Sequence, residues 1–299
     1  MLSSTIGFLK TCDVEYGVAS SLSGECSMRC GGSAALVAYP DDLKKLIRVL
    51  EYLSSEKIRY RILGNITNTL VREGEYSGVV VRTNKVNEYF VLESGEVIAE
   101  CGADFKRMSA RLAGVGLGGA EEMFMIPGTV GAMTVGNAGA HGLSLSDIFL
   151  YGCFFDPRQD RICFLDRGEM RFSYRGSLAK SDGLICLYSV LSFVKADFSE
   201  IRSKIARFAS IRRKAQPTGA ASLGSIFKRR NGIGMGCYIE QAGLKGYKIG
   251  GASVSQKHAG FIVNDGSATA DDVLMLIEHI KSVIYEKFGF IPEEEIEVL

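Results

Sequence analysis

Three stretches of the sequence combine residue types that bind phosphate or carboxylate groups. The first is LGNITNTLV at residues 63–71, where a strand-like run ends in Gly64 and continues with Asn65, Thr67 and Asn68. A turn of this kind can form a nest of backbone N–H groups around a phosphate. An ordinary tight turn explains the same residues when they are taken alone. The phosphate interpretation gains support because a second glycine-rich stretch accompanies it.

The second stretch is IPGTVGAMTVGNAGAHG at residues 126–142, which holds five glycines and few large side chains. Glycine is costly in ordered structure, and it is kept where φ is positive or where a backbone or a ligand comes too close for a Cβ atom. We therefore expect a flat or crowded group to lie against this segment.

The third stretch is basic, since residues 201–230 contain nine Lys or Arg residues and no Asp or Glu. A solvated helix face explains the first three of these charges. The others flank TGAASLGSI at 218–226, which has no helical period. Arginine binds planar anions in bidentate fashion, so this loop is predicted to bind a phosphate or carboxylate substrate. Nucleic acid is the alternative ligand, but no aromatic-rich binding motif accompanies the charges.

Several common signatures of catalysis are incomplete or missing. GVGLGG at 114–119 satisfies G-x-G-x-x-G, but a helix pattern precedes it and no acidic residue lies between Glu122 and Asp147. A connecting loop is therefore predicted there, and not a dinucleotide fingerprint. The eight cysteines show no CxxC spacing, so we expect apolar core side chains in a reducing compartment and no metal. No G-x-S-x-G elbow supports a hydrolase.

Composition and charge limit the partners of the chain. Its 35 basic and 34 acidic residues nearly cancel, so no general attraction to nucleic acid or anionic membrane is expected. The amino terminus lacks a basic region and a long apolar run, and no run of about 18 apolar residues occurs elsewhere. We expect a soluble, cytoplasmic chain.

The elements that position these stretches follow from periodicity and capping residues. Apolar residues repeat at helical spacing after Asp41, and strand-like runs follow at 58–64 and 78–83. The last predicted helix has a capping box at Thr269 and Asp272, and it ends before Gly289.

A second group of elements is predicted in the middle of the chain. It comprises a helix over about 104–113 and strands at 97–103, 148–155, 161–165 and 185–194. The sequence thus predicts three parts, at 1–84, 85–198 and 199–299.

Seven segments occur in an order that resembles the UDP-N-acetylenolpyruvoylglucosamine reductase family, also called UDP-N-acetylmuramate dehydrogenases. They are MRCGGSA at 28–34, LGNITNTLV, IPGTVGAMTVGNAGAHG, SYRGS at 173–177, LGSIFKRR at 223–230, AGLKGYKIGGASVSQKHAGFIVN at 242–264 and EEEIEVL at 293–299. The resemblance runs from about residue 27 to the end and points to the shorter branch of the family. It implies an α+β chain: an FAD-binding fold of the vanillyl-alcohol oxidase type in two subdomains, then a C-terminal α+β substrate-binding domain.

The resemblance also implies a reaction. In the family, NADPH reduces non-covalently bound FAD and is replaced by the enolpyruvyl sugar nucleotide. Hydride from the flavin then reaches the methylene carbon, and a proton goes to the neighbouring carbon. The product belongs to peptidoglycan precursor synthesis in the cytoplasm, and a monomer is implied. The flat group expected against residues 126–142 would be the flavin ring.

The resemblance assigns roles to individual residues. The catalytic set is Ser225 as proton donor, Arg175 as the group that holds the substrate carboxylate and stabilises enolate charge, and Glu295 as the C-terminal glutamate, although the EEE run also allows a shift by one residue. The implied substrate-binding residues are Tyr174, Lys214, Lys228 and Arg229. No metal is implied. The implied cofactor-binding residues are Gly64, Asn65, Ile66, Thr67, Asn68, Ile126, Pro127, Gly128, Thr129, Gly131, Ala132, Val135, Asn137, Ala138, Gly139 and Arg212.

Several positions depart from the family pattern. Ile66 stands where the phosphate turn has its second glycine; because a β-branched residue resists positive φ, the turn is expected to differ or FAD to bind less tightly. Further departures are Thr67, Met125, Ala132, His141, Ala215 and Glu297. Two alternatives follow: another FAD-dependent oxidoreductase on the same scaffold, or a non-catalytic nucleotide-binding relative.

Overall fold

The computed structural model describes residues 2–299. Within this range the helices are α1 (Leu2–Thr11), α2 (Leu43–Ser55), α3 (Phe105–Gly114), α4 (Val130–Gly136), α5 (Leu145–Ile148), α6 (Leu178–Asp182), α7 (Phe198–Ala215), α8 (Met235–Gln241) and α9 (Ala270–Phe288), with a short 3-10 helix at Glu121–Met123. None of the helices in this range is both long and apolar enough to cross a bilayer.

The strands fall into small sheets. They are β1 (Glu15–Ser21), β2 (Ser33–Tyr39), β3 (Tyr60–Leu63), β4 (Thr69–Leu70), β5 (Glu75–Arg82), β6 (Tyr89–Val91), β7 (Glu96–Glu100), β8 (Leu117–Gly118), β9 (Gly139–Ala140), β10 (Leu143–Ser144), β11 (Phe149–Asp156), β12 (Arg161–Asp166), β13 (Ile185–Ser192), β14 (Val194–Lys195), β15 (Lys248–Ile249), β16 (Ala252–Val254), β17 (Ile262–Asn264) and β18 (Glu297–Val298). The two largest sheets have the orders β1-β2-β5-β3 and β12-β11-β13-β7-β6.

The chain divides into two compact units. Unit 1 comprises the residues up to Val18, Leu36–Asn65 and Gly78–Ser210, and unit 2 comprises Ala19–Ala35, Ile66–Ser77 and Ile211–Leu299. These units follow spatial contacts, so they do not test the sequence-based division at 84/85 and 198/199, which stays a prediction.

Unit 1 is organised around a large apolar core. Helix α2 contributes Leu46, Val49, Leu50 and Leu53, all at most 1% exposed. The helix predicted after Asp41 begins at Leu43, and its N-cap is Asp42, whose side chain accepts the Lys45 N–H at 2.6 Å. The five-stranded sheet is antiparallel at each recorded pairing and packs against α4. This packing fixes α4, which forms the middle of the glycine-rich stretch.

Unit 2 contains the long helix α9 and the three-stranded sheet β15-β16-β17. The capping box predicted for α9 is confirmed: Thr269 accepts the Asp272 N–H, and Asp272 accepts the Thr269 N–H. The backbone N–H groups that Asp272 accepts lower the pKa of its carboxyl group. Gly289 ends the helix with φ of 73°. Both ends of α9 are therefore set by local sequence.

The structure contains one helix that the sequence did not predict, and it shows what lies around the G-x-G-x-x-G segment. Helix α1 was not predicted, since its residues were considered only as a possible signal sequence. Residues 114–119 connect α3 to β8, which pairs with β14. This arrangement confirms a connecting segment and excludes the strand-to-helix turn that a dinucleotide fingerprint needs.

Candidate active site

The turn at residues 64–68 has the geometry of an anion-binding nest. Ile66 has φ of 47°, in the left-handed region. Among the described residues 2–299, the backbone N–H groups of Asn65, Ile66 and Asn68 donate no hydrogen bond to the protein. Backbone N–H groups beside a left-handed residue form a concave donor surface for anions. The turn therefore offers uncommitted donors to a phosphate.

Ile66 keeps this conformation against its own preference. A left-handed residue with a Cβ atom costs about 1–2 kcal/mol, so the surroundings must hold it. Its carbonyl oxygen accepts the Ser27 N–H at 3.0 Å, and its side chain is only 3% exposed. Ile66 thus adopts the positive φ that its residue type resists, and weaker FAD binding stays a prediction.

Asn65 bonds to a helix end within unit 1. Its Nδ2 donates to Asp104 Oδ2 at 3.0 Å, while Asp104 Oδ1 accepts the Arg107 N–H at 2.8 Å as the N-cap of α3. A Cβ atom on Gly64 would lie 2.6 Å from Thr129 Oγ1. Asp104 was not assigned to the site from sequence. Its capping position is a local signal, but its bond to Asn65 is not.

Glycine is required within residues 126–142 for more than one reason. A Cβ atom on Gly131 would lie 2.7 Å from Cys101 Cβ, and one on Gly139 would lie 2.6 Å from Leu143 O. Gly128 and Gly142 have φ of 152° and 92°. A Cβ atom on Gly136 would meet nothing within 4 Å. At Gly131 and Gly139 the protein's own packing is therefore enough to exclude a Cβ atom, and a flavin ring beside this stretch stays a prediction.

The N-terminal amides of α4 serve the protein itself. The N–H groups of Val130 and Gly131 donate to Ala103 O and Cys101 O, each at 2.8 Å. Thr129 is the N-cap, and its Oγ1 accepts the Ala132 N–H at 3.5 Å. These groups anchor α4 to the segment before α3, so the turn at 64–68 is the better phosphate donor.

Arg175 lies at the tip of a tight turn in unit 1. The Ser173 N–H donates to Gly176 O at 3.0 Å, and the Gly176 N–H donates back to Ser173 O at 3.2 Å. Arg175 itself has φ of 56°, and its Nη2 donates to Gly139 O at 3.2 Å. Its guanidinium carbon also lies 5.2 Å from the centre of the exposed Tyr174 ring. The arginine is thus held in a defined position beside the glycine-rich stretch.

Ser225 and Glu295 are brought together in unit 2. Ser225 pairs with Phe261 in an antiparallel bridge, and the next residue, Ile226, donates its N–H to Gly260 O at 3.0 Å. On the other side, the Glu295 N–H donates to Ile226 O at 2.8 Å. The serine and the glutamate are therefore fixed on adjacent extended segments.

The Ser225 hydroxyl is available for a ligand. Within residues 2–299 it makes no hydrogen bond to the protein, and its side chain is half-buried. The preceding Gly224 has φ of 78°. A hydroxyl without an internal partner, on a backbone held from both sides, is suited to donate to a bound substrate.

The end of the chain joins the phosphate turn to the glutamate. Asn68 Nδ2 donates to Glu295 O at 3.0 Å, and Asn68 O accepts the Glu297 N–H at 2.9 Å. Strand β18 then runs parallel to β4. Glu297, the charge reversal relative to the family, is exposed on this strand. The position of Glu295 therefore depends on the same turn that offers phosphate donors.

The predicted substrate-binding cations differ in how they are held. Lys228 Nζ forms an ion pair with Glu293 Oε1, and Arg229 Nη1 donates to Gly232 O at 3.5 Å. Arg212 and Lys214 lie on the last turn of α7, and within residues 2–299 their side chains make no hydrogen bond. Burial lowers the pKa of Arg212. A half-buried arginine without an acceptor is suited to an anionic ligand.

Two histidines take structural positions. His258 Nδ1 accepts the Gly260 N–H at 3.1 Å, and burial lowers its pKa. His141 has φ of 54°, and its ring lies 5.0 Å from that of Phe208. The hydrogen bond from Gly260 gives His258 a supporting role in the local backbone.

FAD fits the donors described for the turn. Its phosphates need N–H donors that are not already used by the protein, and the turn at 64–68 supplies them. The other predicted cofactor residues in the stretch, including Ile126, Pro127, Val135 and Ala138, stay predictions.

Two family models match the chain. One, described as an FAD binding domain, matches residues 34–155, and one described as the C-terminal domain of UDP-N-acetylenolpyruvoylglucosamine reductase matches residues 216–299. The chain thus carries an FAD-binding domain followed by a domain typical of this reductase.

Solved structures confirm the predicted α+β fold of the vanillyl-alcohol oxidase type. The structure of UDP-N-acetylenolpyruvylglucosamine reductase from Thermus caldophilus has a TM-score of 0.81 at 28% identity, and the match covers 95% of this chain and 98% of that one. A berberine bridge enzyme variant has a TM-score of 0.51 at 13% identity over 65% of this chain and 44% of that one. The second likeness shows the fold alone.

A curated relative extends the match along nearly the whole length. UDP-N-acetylenolpyruvoylglucosamine reductase of Caldicellulosiruptor bescii is 37% identical over 294 residues, which are 98% of this chain and 93% of that protein. The chain therefore belongs to the UDP-N-acetylenolpyruvoylglucosamine reductase family.

Proposed function

We propose that the chain catalyses the NADPH-dependent reduction of UDP-N-acetylglucosamine enolpyruvate to UDP-N-acetylmuramate, with non-covalently bound FAD. One observation supports this most: the pairing of Ile226 with Glu295 fixes Ser225 and Glu295 on adjacent segments and leaves the serine hydroxyl uncommitted. FAD, when bound, supplies the hydride chemistry that no side chain can provide.

Ser225 acts as the proton donor in this proposal. Its hydroxyl gives a proton to the substrate carbon next to the methylene carbon that receives hydride, which completes the lactyl ether. A serine hydroxyl is a weak acid, so charged neighbours must assist it. Glu295 is held on the adjacent segment, and the Lys228–Glu293 ion pair lies close in sequence. Ser225, Glu295 and Lys228 form the acid-base part of the site.

Arg175 binds the carboxylate of the enolpyruvyl group. A planar guanidinium matches a carboxylate in bidentate geometry, and a charge that is already oriented stabilises enolate character most effectively. The turn from Ser173 to Gly176 and the bond to Gly139 O provide that orientation. Tyr174, Lys214 and Arg229 are the further groups proposed to bind the sugar nucleotide.

The proposal places the reaction in the cytoplasm, where the family makes peptidoglycan precursors, and takes the chain as a monomer. It also assigns the turn at 64–68 to the diphosphate of FAD. Weaker FAD binding than in relatives with glycine is proposed because Ile66 must be held in a left-handed conformation.

Flavin retention tests the assignment of the turn. The purified protein is incubated with FAD or with riboflavin, which lacks phosphate groups, and then passed through a gel-filtration column. We expect the visible flavin band to elute with the protein after incubation with FAD and to be lost after incubation with riboflavin, because the N–H donors of the turn need a phosphate. Equal retention of both would contradict the phosphate site. A colourless protein after FAD would favour the non-catalytic relative.

A further inference from the structure

The turn that carries Arg175 is not stable by itself. Arg175 has φ of 56°, which is unfavourable for a residue with a Cβ atom, so neighbouring groups must maintain the conformation. The two backbone hydrogen bonds between Ser173 and Gly176 close the turn. They do not attach it to the rest of unit 1.

Asn137 makes that attachment. It ends α4 in the left-handed conformation, with φ of 43°, and its side chain is nearly buried at 6% exposure. Its Nδ2 donates to Ser173 O at 2.8 Å, and its Oδ1 accepts the Ser146 N–H at 3.0 Å. A carbonyl must face the amide nitrogen and an N–H must face the amide oxygen, so the two partners fix the orientation of the side chain.

The same short segment holds Arg175 at a second point. Gly139, two residues after Asn137, accepts the Arg175 guanidinium through its carbonyl oxygen at 3.2 Å. A Cβ atom on Gly139 would lie 2.6 Å from Leu143 O, so this carbonyl belongs to a tightly packed hairpin. Residues 137–139 therefore restrain both the backbone before Arg175 and the tip of its side chain.

We propose that Asn137 is a positioning residue that acts through Arg175. Its two recorded side-chain bonds are made to the backbone of the chain itself, and its role is to set the direction in which the guanidinium meets the substrate carboxylate. This inference rests on the proposed role of Arg175. The sequence had assigned Asn137 only to cofactor binding, so its action on Arg175 is the new part of the inference.

Two substitutions test the hydrogen bonds of Asn137 to Ser173 and Ser146. Asn137→Asp keeps an oxygen for the Ser146 N–H but replaces the donor to Ser173 O with a second acceptor. Asn137→Gly keeps the left-handed backbone without strain and removes both bonds, and it serves as the test variant if the aspartate variant fails to fold. Asn87→Asp is the matched control, because Asn87 Nδ2 likewise donates to a backbone carbonyl, that of Asn84 at 3.0 Å, on an exposed turn of unit 1.

The measurement is the rate at which the FAD-loaded, NADPH-reduced protein turns over the enolpyruvyl substrate, together with the rate of flavin reduction by NADPH. A misplacement of about 1 Å can cost about 100-fold in rate. We expect a loss of that order in substrate turnover for both Asn137 variants, and a much smaller change in the rate of flavin reduction. The Asn87→Asp variant should match the wild type in both.

A double variant shows whether Asn137 acts through Arg175. In an Arg175→Ala background, Asn137→Asp should cause no further loss, because residues that act as one unit are not additive. A full additional loss would overturn the inference, as would wild-type turnover in both Asn137 variants. If Arg175→Ala itself leaves turnover unchanged, the proposed function of Arg175 fails, and that result is distinct from a failure confined to Asn137.

Discussion

Ser225→Ala should block turnover of the enolpyruvyl substrate while flavin reduction by NADPH continues. The hydroxyl is uncommitted within residues 2–299 and sits on a segment held by Phe261 and Glu295, so its removal takes away the proton donor without changing the backbone. General-acid catalysis contributes about 10²- to 10⁴-fold, and a loss of that size is expected. Stopped-flow absorption of the flavin band measures the two half-reactions separately.

The control for this experiment is Ser222→Ala. Ser222 is half-buried in the same loop. Its backbone N–H, and not its hydroxyl, donates a hydrogen bond to Ser27 O at 3.1 Å. Loss of its hydroxyl should leave both half-reactions unchanged. If Ser225→Ala slows flavin reduction as much as substrate turnover, or slows neither, the proton-donor role of Ser225 is wrong.

Arg175→Ala should lower substrate turnover by about 10²- to 10³-fold, the usual effect of removing one oriented donor to developing negative charge. The guanidinium binds the carboxylate before reaction and stabilises the charge that forms during it. The FAD content of the protein should not change, because the arginine is proposed to meet the substrate and not the phosphates. Steady-state rates with saturating NADPH measure the effect.

Arg171→Ala provides the comparison for this variant. Arg171 also has a left-handed backbone, with φ of 43°, but its side chain is exposed. Both variants lose one positive charge and keep a non-glycine residue at positive φ, so general electrostatic and strain effects are matched. Equal activity of the two variants would remove Arg175 from the catalytic set.

Local sequence was enough to predict both ends of α9. The capping box of Thr269 and Asp272 depends on residues three positions apart, so it can be recognised without the fold. Helix α1 was missed because its residues were considered only for targeting. The fold class came from the order of the motifs, and composition alone did not provide it.

The contacts that position the site join residues distant in sequence. The bonds from Asn65 to Asp104 and from Asn137 to Ser173 span 39 and 36 positions, and no periodicity or cap indicates such partners. The sequence could mark such residues as belonging to a turn or a helix cap. It could not identify their hydrogen-bond partners, because these depend on how the elements pack. The bond from Asn68 to Glu295 is a further example.

The glycines show a limit of the sequence argument. The sequence allowed either a ligand or a neighbouring backbone against residues 126–142, and in the structure Cys101 and Leu143 lie where Cβ atoms on Gly131 and Gly139 would be. Sequence cannot distinguish a ligand from a neighbouring backbone, because both exclude a Cβ atom. Ile66 gave the opposite surprise, since a residue disfavoured at positive φ is nevertheless held there.

The most direct test is NADPH oxidation by the purified, FAD-loaded protein, with and without UDP-N-acetylglucosamine enolpyruvate, in the absence of oxygen. We expect sustained NADPH consumption only when the enolpyruvyl sugar nucleotide is added, with one NADPH oxidised for each substrate molecule reduced. NADPH consumption that does not depend on this substrate, or none when it is present, would contradict the proposed reductase activity.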